Sequence, residues 1–273
     1  MALTPRGRKP NTPPANRSPV KALLHAVADS VAKASLAFGG EFGRVEGTGA
    51  YGTPTQAIDK VAEDAALLCL KAHGAKLNIL SEEAGFLDRG GTRTLILDPV
   101  DGTHNAVRGV PLFATSLAIG DDRLSTVTHG LVRDLVRGTV YYAEKGQGAT
   151  ADGRRIATRA FNPEESVFSV YQGRNAKPQS ADVAHAGRRA RHLGAASLDL
   201  CLVASGAFDA YVMNSASAAQ LRIIDIAAGV LIVREAGGVV VDLRRRELEM
   251  PVTLKARTNL IAAGDRKALE AIP

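Results

Sequence analysis

The chain has 273 residues, 45% of them hydrophobic and 23% charged, which is enough to bury a large core as one domain or two closely packed ones. No apolar run approaches the roughly 20 residues that span a bilayer, and the N-terminus lacks the apolar core of a secretory signal, so we expect a cytoplasmic protein. The net charge of +6 comes largely from a Pro-rich, acid-free segment at residues 1–19 with Arg6, Arg8, Lys9 and Arg17. We expect this tail to be disordered and do not expect a nucleic-acid partner, although a polyanion-binding or targeting role for the tail stays open.

Two predicted helices in the first part of the chain are separated by a glycine-dense segment. Apolar residues recur at helical spacing over residues 20–38, which predicts an amphipathic helix. Residues 39–52 are rich in glycine and predict a loop or an irregular ribbon. Thr55 is then a candidate N-cap of a second helix, which carries Asp59 in its first turn and ends at Gly74. Taken alone, Asp59 would only stabilise the helix dipole.

The rest of the chain alternates apolar runs with turn residues and predicts a mixed α/β fold without internal repeats. A change of pattern near Asn162 suggests a boundary between an N-terminal α+β subdomain at 20–160 and a C-terminal α/β subdomain at 161–273. Further strands are predicted at 77–80, 94–97, 113–119, 130–132, 138–143, 167–171, 209–212 and 239–241, and further helices at 197–207 and 225–236.

The strand predicted at 94–97 carries two carboxylates to its C-terminal end, where open α/β sheets usually place their chemistry. Pro99 holds Asp98 at extended backbone angles, and Gly102 allows a turn in which N–H groups can face an anion. Asp98 and Asp101 beside such a turn suit a divalent metal next to a phosphate. Because Asp-Pro and Asp-Gly are also ordinary turn formers, this stretch alone could equally be a strand-to-loop corner.

Two further acidic stretches favour the metal interpretation. Glu82 and Glu83 follow the strand at 77–80, and neighbouring strands that end together would bring Glu82 to the same point as Asp98. Asp225 follows a short apolar, strand-like entry and stands at the start of an Ala/Gly-rich helix. Taken alone, the glutamates would be a solvated turn and Asp225 would be an N-cap.

Together the three stretches resemble the inositol monophosphatase superfamily of Mg²⁺-dependent, lithium-sensitive phosphatases. The resemblance covers nearly the whole chain after residue 19 and follows the family's order. It comprises the acidic pair at 82–83, a D-P-[IV]-D-G-T-x-N signature at 98–105 and a D-x-A-A-G-x-x-I-x-x-E-A-G-G signature at 225–238.

Residues 52–59, 141–146 and 191–197 look like the archaeal branch, whose members often hydrolyse both inositol monophosphates and fructose 1,6-bisphosphate. The resemblance implies an α/β (α+β) fold class, a layered α-β-α-β-α sandwich, with the active site between two subdomains and the N-terminal one binding the metal. It also implies a homodimer that acts on a small phosphorylated substrate and has no membrane partner.

The resemblance assigns roles to individual residues. It implies two or three Mg²⁺ ions, and hard Mg²⁺ prefers oxygen ligands. The implied metal ligands are Glu82, Asp98, Asp101, Asp225 and the backbone carbonyl of Val100.

The same resemblance places a catalytic group beside the metals. Thr103, paired with Asp59, would act with Glu82 to orient the attacking water. Glu83 would support the metal ligands from outside. The implied substrate contacts are Asp101, Gly102, Thr103, Arg191, Ala196 and Arg222.

Three departures from the family pattern bear on the substrate. Ile224 stands where the family has Trp before the last metal acid, as in archaeal relatives. Tyr51 replaces the Asp that archaeal relatives carry before Thr-Pro-Thr, which would alter a metal- or lithium-sensitive loop. The loop at 213–220 lacks the charged residue with which relatives hold substrate hydroxyls or a second phosphate, so the choice of substrate stays open.

Other functions fit these residues less well. A haloacid-dehalogenase phosphatase spaces its two aspartates two apart, whereas Asp98 and Asp101 are three apart. A non-enzymatic, polyanion-binding member would be expected to lack a metal acid, and none is missing. Cys69 and Cys201 lie in apolar stretches and predict buried thiols rather than a disulfide or a metal site. The main alternative is a nucleotide phosphatase of the same superfamily that acts on 3′-phosphoadenosine 5′-phosphate.

Overall fold

The computed structural model describes residues 18–50, 52, 54–216 and 220–273. The predicted disorder of the tail, the substitution at Tyr51 and part of the 213–220 loop therefore lie outside the described residues. Within the part of the chain that is described, no helix combines the length and apolar character needed to cross a membrane. Cys69 and Cys201 are both free, and Cys201 is buried as expected whereas Cys69 is partly exposed.

The described residues form seven helices and fifteen strands. The helices are α1 (Pro19–Ala37), α2 (Ala57–Ala72), α3 (Thr103–Val107), α4 (Gln179–Ala186), α5 (Ala196–Ala204), α6 (Ile223–Glu235) and α7 (Arg266–Glu270). The strands are β1 (Val45–Thr48), β2 (Pro54–Gln56), β3 (Asn78–Ser81), β4 (Gly85–Leu87), β5 (Thr94–Asp101), β6 (Ala114–Gly120), β7 (His129–Asp134), β8 (Val140–Glu144), β9 (Gly148–Ala151), β10 (Arg154–Ile156), β11 (Val167–Val170), β12 (Arg189–Arg191), β13 (Ala210–Met213), β14 (Val239–Val241) and β15 (Leu260–Ala263).

An eight-stranded sheet carries the acidic motif on one of its inner strands. Its strand order is β10-β9-β8-β7-β6-β5-β3-β4, so β5 lies between an antiparallel neighbour, β6, and a parallel neighbour, β3. Ser81 at the end of β3 pairs with Leu97 of β5. The next residues, Glu82 and Asp98, are therefore neighbours at the C-terminal ends of these two parallel strands. The expected meeting of these two strand ends is confirmed.

A second, five-stranded sheet has the order β12-β11-β13-β15-β14. Strands β12, β11 and β13 are parallel, whereas β15 runs antiparallel to both β13 and β14. Strands β1 and β2 form a separate antiparallel ribbon within and after the glycine-dense segment.

Helices and sheets pack in five layers around three hydrophobic clusters. Helices α1 and α2 pack on the outer face of the large sheet, against residues such as Leu95 and Leu97. Ile96, between those two leucines, points to the opposite face and joins a core that contains α5, α6 and inner residues of the second sheet. Helices α4 and α7 cover the outer face of the second sheet, against residues such as Phe168. The layers follow the order α-β-α-β-α, which confirms the expected sandwich.

Both faces of β5 are therefore buried, and this explains its uninterrupted apolar run. The two central helices α5 and α6, drawn from the C-terminal half of the chain, are shared by both sheets. A division of the chain into subdomains at 20–160 and 161–273 stays a prediction.

Two local predictions are wrong. The apolar entry before Asp225 is not a strand, because α6 already begins at Ile223 and Asp225 is the third residue of the helix, with Arg222 as its N-cap. Thr55 does not cap α2, since it belongs to β2 and Gln56 occupies the cap position without a side-chain bond. In both places tertiary packing decides between two locally possible structures.

The contact between β7 and α6 is close enough to require glycine at residue 130. A Cβ atom at Gly130 would lie 2.8 Å from the carbonyl oxygen of Ala228 and 3.0 Å from its Cα. We expect Gly130→Ala to lower the free energy of unfolding by about 1–3 kcal/mol, because the backbone of α6 would have to move away. Gly47→Ala, where a Cβ would meet nothing within 4 Å, is the matched control. Urea unfolding measures both; equal values for the two variants would contradict this packing account.

Candidate active site

The two aspartates of β5 point to the same side of the sheet because the strand is irregular. They are three positions apart along β5, and in a regular strand side chains at that spacing face opposite ways. Their partners on β6 are Ser116 for Asp98 and Ala114 for Asp101, which are only two apart, so the ladder contains an irregularity between the two aspartates. Both carboxylates are thereby buried at one end of the strand.

The carboxylate of Asp101 is held by the start of α5. The backbone N–H of Ser197 donates to its Oδ2 at 2.7 Å, the hydroxyl of Ser197 donates to the same oxygen at 2.5 Å, and the N–H of Ala196 donates to Oδ1 at 3.2 Å. The first N–H groups of a helix have no partner inside it, so a carboxylate is favoured there. This contact joins the end of β5 to a helix nearly a hundred residues later in the chain.

The start of α6 brings Asp225 to the same cluster through Arg222. The backbone N–H of Arg222 donates to Asp225 Oδ2 at 2.7 Å, and its guanidinium donates to Asp225 Oδ1 at 3.1 Å. The same guanidinium makes a bidentate pair with Glu82, in which Nη2 lies 2.8 Å from Oε2. Arg222 therefore bridges the end of β3 and the start of α6, which lie 140 residues apart in the sequence.

Thr103 forms the other side of the cluster. Its hydroxyl oxygen lies 2.8 Å from Asp59 Oδ1 and 2.8 Å from the carbonyl oxygen of Val100. Gly102 precedes it with φ of +87°, and a Cβ at that position would lie 3.0 Å from the carbonyl oxygen of Leu112. Glycine is therefore needed at this turn, which starts α3 directly after β5.

Burial and mutual repulsion raise the pKa values of these acids. Burial, opposed by the bonds from Ser197 and reinforced by Asp225, raises the pKa of Asp101 to about 7. Burial, opposed by the bond from Thr103, also raises the pKa of Asp59 to about 7. Burial and the neighbouring carboxylates likewise raise the pKa of Asp98 well above its usual range. The cluster holds more buried negative charge than the guanidinium of Arg222 offsets.

The donor set fits divalent cations of the hard type. The four acids Glu82, Asp98, Asp101 and Asp225 offer carboxylate oxygens, which are the ligands such ions prefer. Burial first, and neighbouring carboxylates second, raise the pKa values of Asp98, Asp101 and Asp225, and a bound cation would offset this crowding of negative charge. The described parts of the chain contain no three acidic, histidine or cysteine side chains that already converge as a ligand group. The reason lies in the contacts given above: Glu82 and Asp225 both face Arg222, and Asp101 faces α5.

Of the remaining predicted residues, some contact the acidic cluster and one does not. Ala196 lies in the cluster through its N–H, and Glu83 lies beside it, where its carboxylate accepts from the hydroxyl of Thr55. Arg191 is exposed, and its guanidinium donates to the neighbouring carbonyl of Ala190 at 2.7 Å, so the described contacts do not link it to the acids. Its role at the substrate, like that of Arg222, stays a prediction.

Three residues of the site were missed from the sequence. Ser197 binds Asp101, and Asn105 donates to the carbonyl oxygen of Leu193 at 2.7 Å, tying α3 to the segment before α5. Glu63 binds the turn that carries Glu82. The signal for Glu63 was available, because an acid on the buried face of α2 one turn after Asp59 requires a partner.

Comparisons with known proteins show the family of this chain. A model of the inositol monophosphatase family matches residues 16–272. The chain belongs to the inositol monophosphatase family.

Individual relatives add more detail. A protein of Methanothermobacter thermautotrophicus named fructose-1,6-bisphosphatase/inositol-1-monophosphatase is 37% identical over 246 residues, which cover 84% of this chain and 86% of the relative. A protein of Methanococcus maripaludis named bifunctional NADP phosphatase/NAD kinase is 31% identical over 244 residues, which cover 80% of this chain and 42% of that longer protein. A solved structure of an inositol monophosphatase-fructose 1,6 bisphosphatase, 31% identical, superposes with a TM-score of 0.81 over 92% of this chain and 97% of its own.

The raised pKa values predict how pH and a divalent cation act together on stability. For Asp59 and Asp101 the pKa rises from 3.8 to about 7, so between these values the folded protein binds more protons than the unfolded one. The free energy of unfolding of protein in a chelator should therefore fall as pH rises from about 4 to about 7. A divalent cation held by these carboxylates would compete with protons, so added Mg²⁺ is expected to raise the melting temperature more at pH 8 than at pH 5.5. Thermal unfolding measures this; equal Mg²⁺ effects at both pH values would contradict it.

Proposed function

We propose that the protein is a Mg²⁺-dependent phosphomonoesterase that hydrolyses inositol monophosphate and fructose 1,6-bisphosphate. The observation that carries the proposal is the cluster of buried carboxylates at the end of β5, next to the Thr103–Asp59 pair. Glu82, Asp98, Asp101, Asp225 and the carbonyl of Val100 would hold two or three Mg²⁺ ions. When bound, such ions offset the charge of the phosphate and of the departing alkoxide and lower the pKa of water.

The chain itself supplies a place for the proton of the attacking water. The hydroxyl of Thr103 has one proton but two acceptors at 2.8 Å, Asp59 Oδ1 and the carbonyl of Val100. A proton taken up by Asp59 would let the carboxyl donate to Thr103 while the hydroxyl donates to Val100. A pKa of about 7 for Asp59 allows this exchange near neutral pH. Thr103 and Asp59 therefore act together as the proton-accepting pair, and Glu82 helps to orient the water.

The phosphate lies against the turn between β5 and α3 in this proposal. The first bond inside α3 runs from the N–H of Ala106 to the carbonyl of Gly102 at 3.1 Å, so the N–H groups of Gly102 and Thr103 precede the helical bonding pattern. Such groups favour an anion. Asp101, Ala196, Arg191 and Arg222 are the further residues proposed to line the substrate, with Glu83 supporting the ligands from outside.

The names of relatives support the substrate class, and one name supports the alternative. Relatives named for both fructose 1,6-bisphosphate and inositol monophosphate match most of this chain and most of their own length. The relative named for NADP phosphatase activity favours a second candidate, a nucleotide phosphatase, for which we expected 3′-phosphoadenosine 5′-phosphate as substrate. The proposal also includes a homodimer, which rests on the family resemblance, and a cytoplasmic location, which rests on the sequence patterns described above.

A parallel assay distinguishes the two candidates. We expect comparable Mg²⁺-dependent phosphate release from inositol 1-phosphate and fructose 1,6-bisphosphate, because relatives that match most of this chain and most of their own length are named for both activities. Release from 3′-phosphoadenosine 5′-phosphate and NADP should be slower. A clear preference for either nucleotide would move the assignment to the nucleotide phosphatase, and absence of release from all four would refute the proposed activity.

Asp101 provides the most direct test of the catalytic cluster. Asp101→Asn removes a charge from the proposed metal site but retains an oxygen that can accept from Ser197. We expect phosphate release to fall by more than about 100-fold with an unchanged circular dichroism spectrum. Asp122→Asn, which alters an exposed aspartate, is the control and should keep full activity. Undiminished activity of Asp101→Asn would contradict the assignment.

A further inference from the structure

Helix α2 presents two buried carboxylates one turn apart to the C-terminal ends of β5 and β3. Asp59 and Glu63 are four residues apart, so they lie on the same face of the helix, and they are 7% and 4% exposed. Asp59 meets Thr103, at the end of β5. Glu63 reaches the end of β3, and the proposed function assigns it no role.

Glu63 binds both sides of the short turn that carries Glu82. One of its oxygens, Oε1, accepts the hydroxyl of Ser81, and the same oxygen accepts the backbone N–H of Ala84 at 3.2 Å. Ser81 pairs with Gly85 across the β3–β4 hairpin, so residues 82–84 are the whole loop between the strands. The two groups that bind Glu63 therefore stand directly before and at the end of that loop.

The opposite side of the same loop is fixed by different contacts. The carbonyl of Glu83 accepts the N–H of Ala50 at 3.0 Å, and the carboxylate of Glu83 accepts the hydroxyl of Thr55. With both flanks held, the backbone of Glu82 has little freedom, and its carboxylate pairs with Arg222, which also pairs with Asp225. An acidic side chain on a three-residue hairpin loop would otherwise point into solvent.

We propose that Glu63 is a positioning residue, which fixes the 82–84 loop so that the carboxylate of Glu82 is directed into the acidic cluster. Its effect on metal binding rests on the proposed function, but its effect on the loop does not. In this arrangement one helix orders two strand ends: Asp59 orders the end of β5, and Glu63 orders the end of β3. Residues that orient metal ligands typically change metal affinity by about 10- to 100-fold when removed.

The role requires an acceptor oxygen rather than a charge, because a single oxygen of Glu63 takes both bonds. Glu63→Gln keeps a carbonyl oxygen at that place and should preserve the loop. Glu63→Ala removes the acceptor and leaves two donors without their partner. Asp64→Asn is the matched control, since Asp64 is the next residue of α2 and its exposed carboxylate pairs with Lys60 on the surface.

Two measurements on the full-length protein test the proposal. Titration with Mn²⁺, followed by the electron paramagnetic resonance signal of the free ion, gives metal affinity without any substrate. We expect affinity to fall about 10-fold or more in Glu63→Ala, to stay within about threefold in Glu63→Gln, and to stay unchanged in Asp64→Asn. Hydrogen exchange at the amide of Ala84 should accelerate in Glu63→Ala and return to the wild-type rate in Glu63→Gln.

Each contrary result has a definite meaning. Wild-type Mn²⁺ affinity in Glu63→Ala, or equal losses in Glu63→Gln and Glu63→Ala, would overturn the positioning role. If Glu63→Ala does not fold, Ser81→Ala removes one of the two bonds, and an unchanged Mn²⁺ affinity in that variant would overturn it as well. If the wild type binds no Mn²⁺, the proposed function fails, whereas the exchange rate at Ala84 still decides whether Glu63 holds the loop.

Discussion

The structure depends on one electrostatic constraint, the burial of several carboxylates at the end of β5. Taking charges out of water costs several kcal/mol for each ion unless partners offset the loss. Asp98, Asp101 and Asp225 are each less than a tenth exposed. After burial, the charges of Asp101 and Asp225 also raise the pKa of Asp98, so the three carboxylates interact. The buried acids therefore require the hydrogen-bond donors that surround them. The negative charge that these donors leave uncompensated makes the cluster suited to divalent cations.

The fold meets this constraint by bringing donors from distant parts of the chain. The start of α5 supplies N–H groups to Asp101, and Arg222 at the start of α6 supplies a guanidinium to both Glu82 and Asp225. Helix α2 approaches from the other face of the sheet and contacts Thr103 through Asp59. Because α5 and α6 also form the layer between the two sheets, the packing of the core and the geometry of the site are determined together.

The sequence predicted the parts of this arrangement that are local. The apolar runs located β3 and β5, and neighbouring strands that end together were expected to bring Glu82 to Asp98, as the pairing of Ser81 with Leu97 does. The irregularity that turns Asp98 and Asp101 to one side involves their pairing with β6 and has no local signal. The partners of Asp101 lie 95 and 96 residues away, and no spacing rule reaches across such a distance.

The start of α6 was mispredicted for a related reason. A helix buried on all sides shows no amphipathic period, so the residues before Asp225 could be assigned equally well to a strand. Only the layer between two sheets decides in favour of a helix. For the exposed Arg191, the family resemblance implied a contact with the substrate. Among the described contacts, its guanidinium donates to the carbonyl oxygen of the neighbouring Ala190.

The central claim, that the acids at the end of β5 form a divalent metal centre, is tested most directly by anomalous diffraction from crystals soaked in Mn²⁺. The account predicts anomalous density within coordination distance of Asp98, Asp101 and Asp225, with Glu82 turned towards it. Strong density only at surface carboxylates, or none in the cluster at millimolar Mn²⁺, would contradict the account.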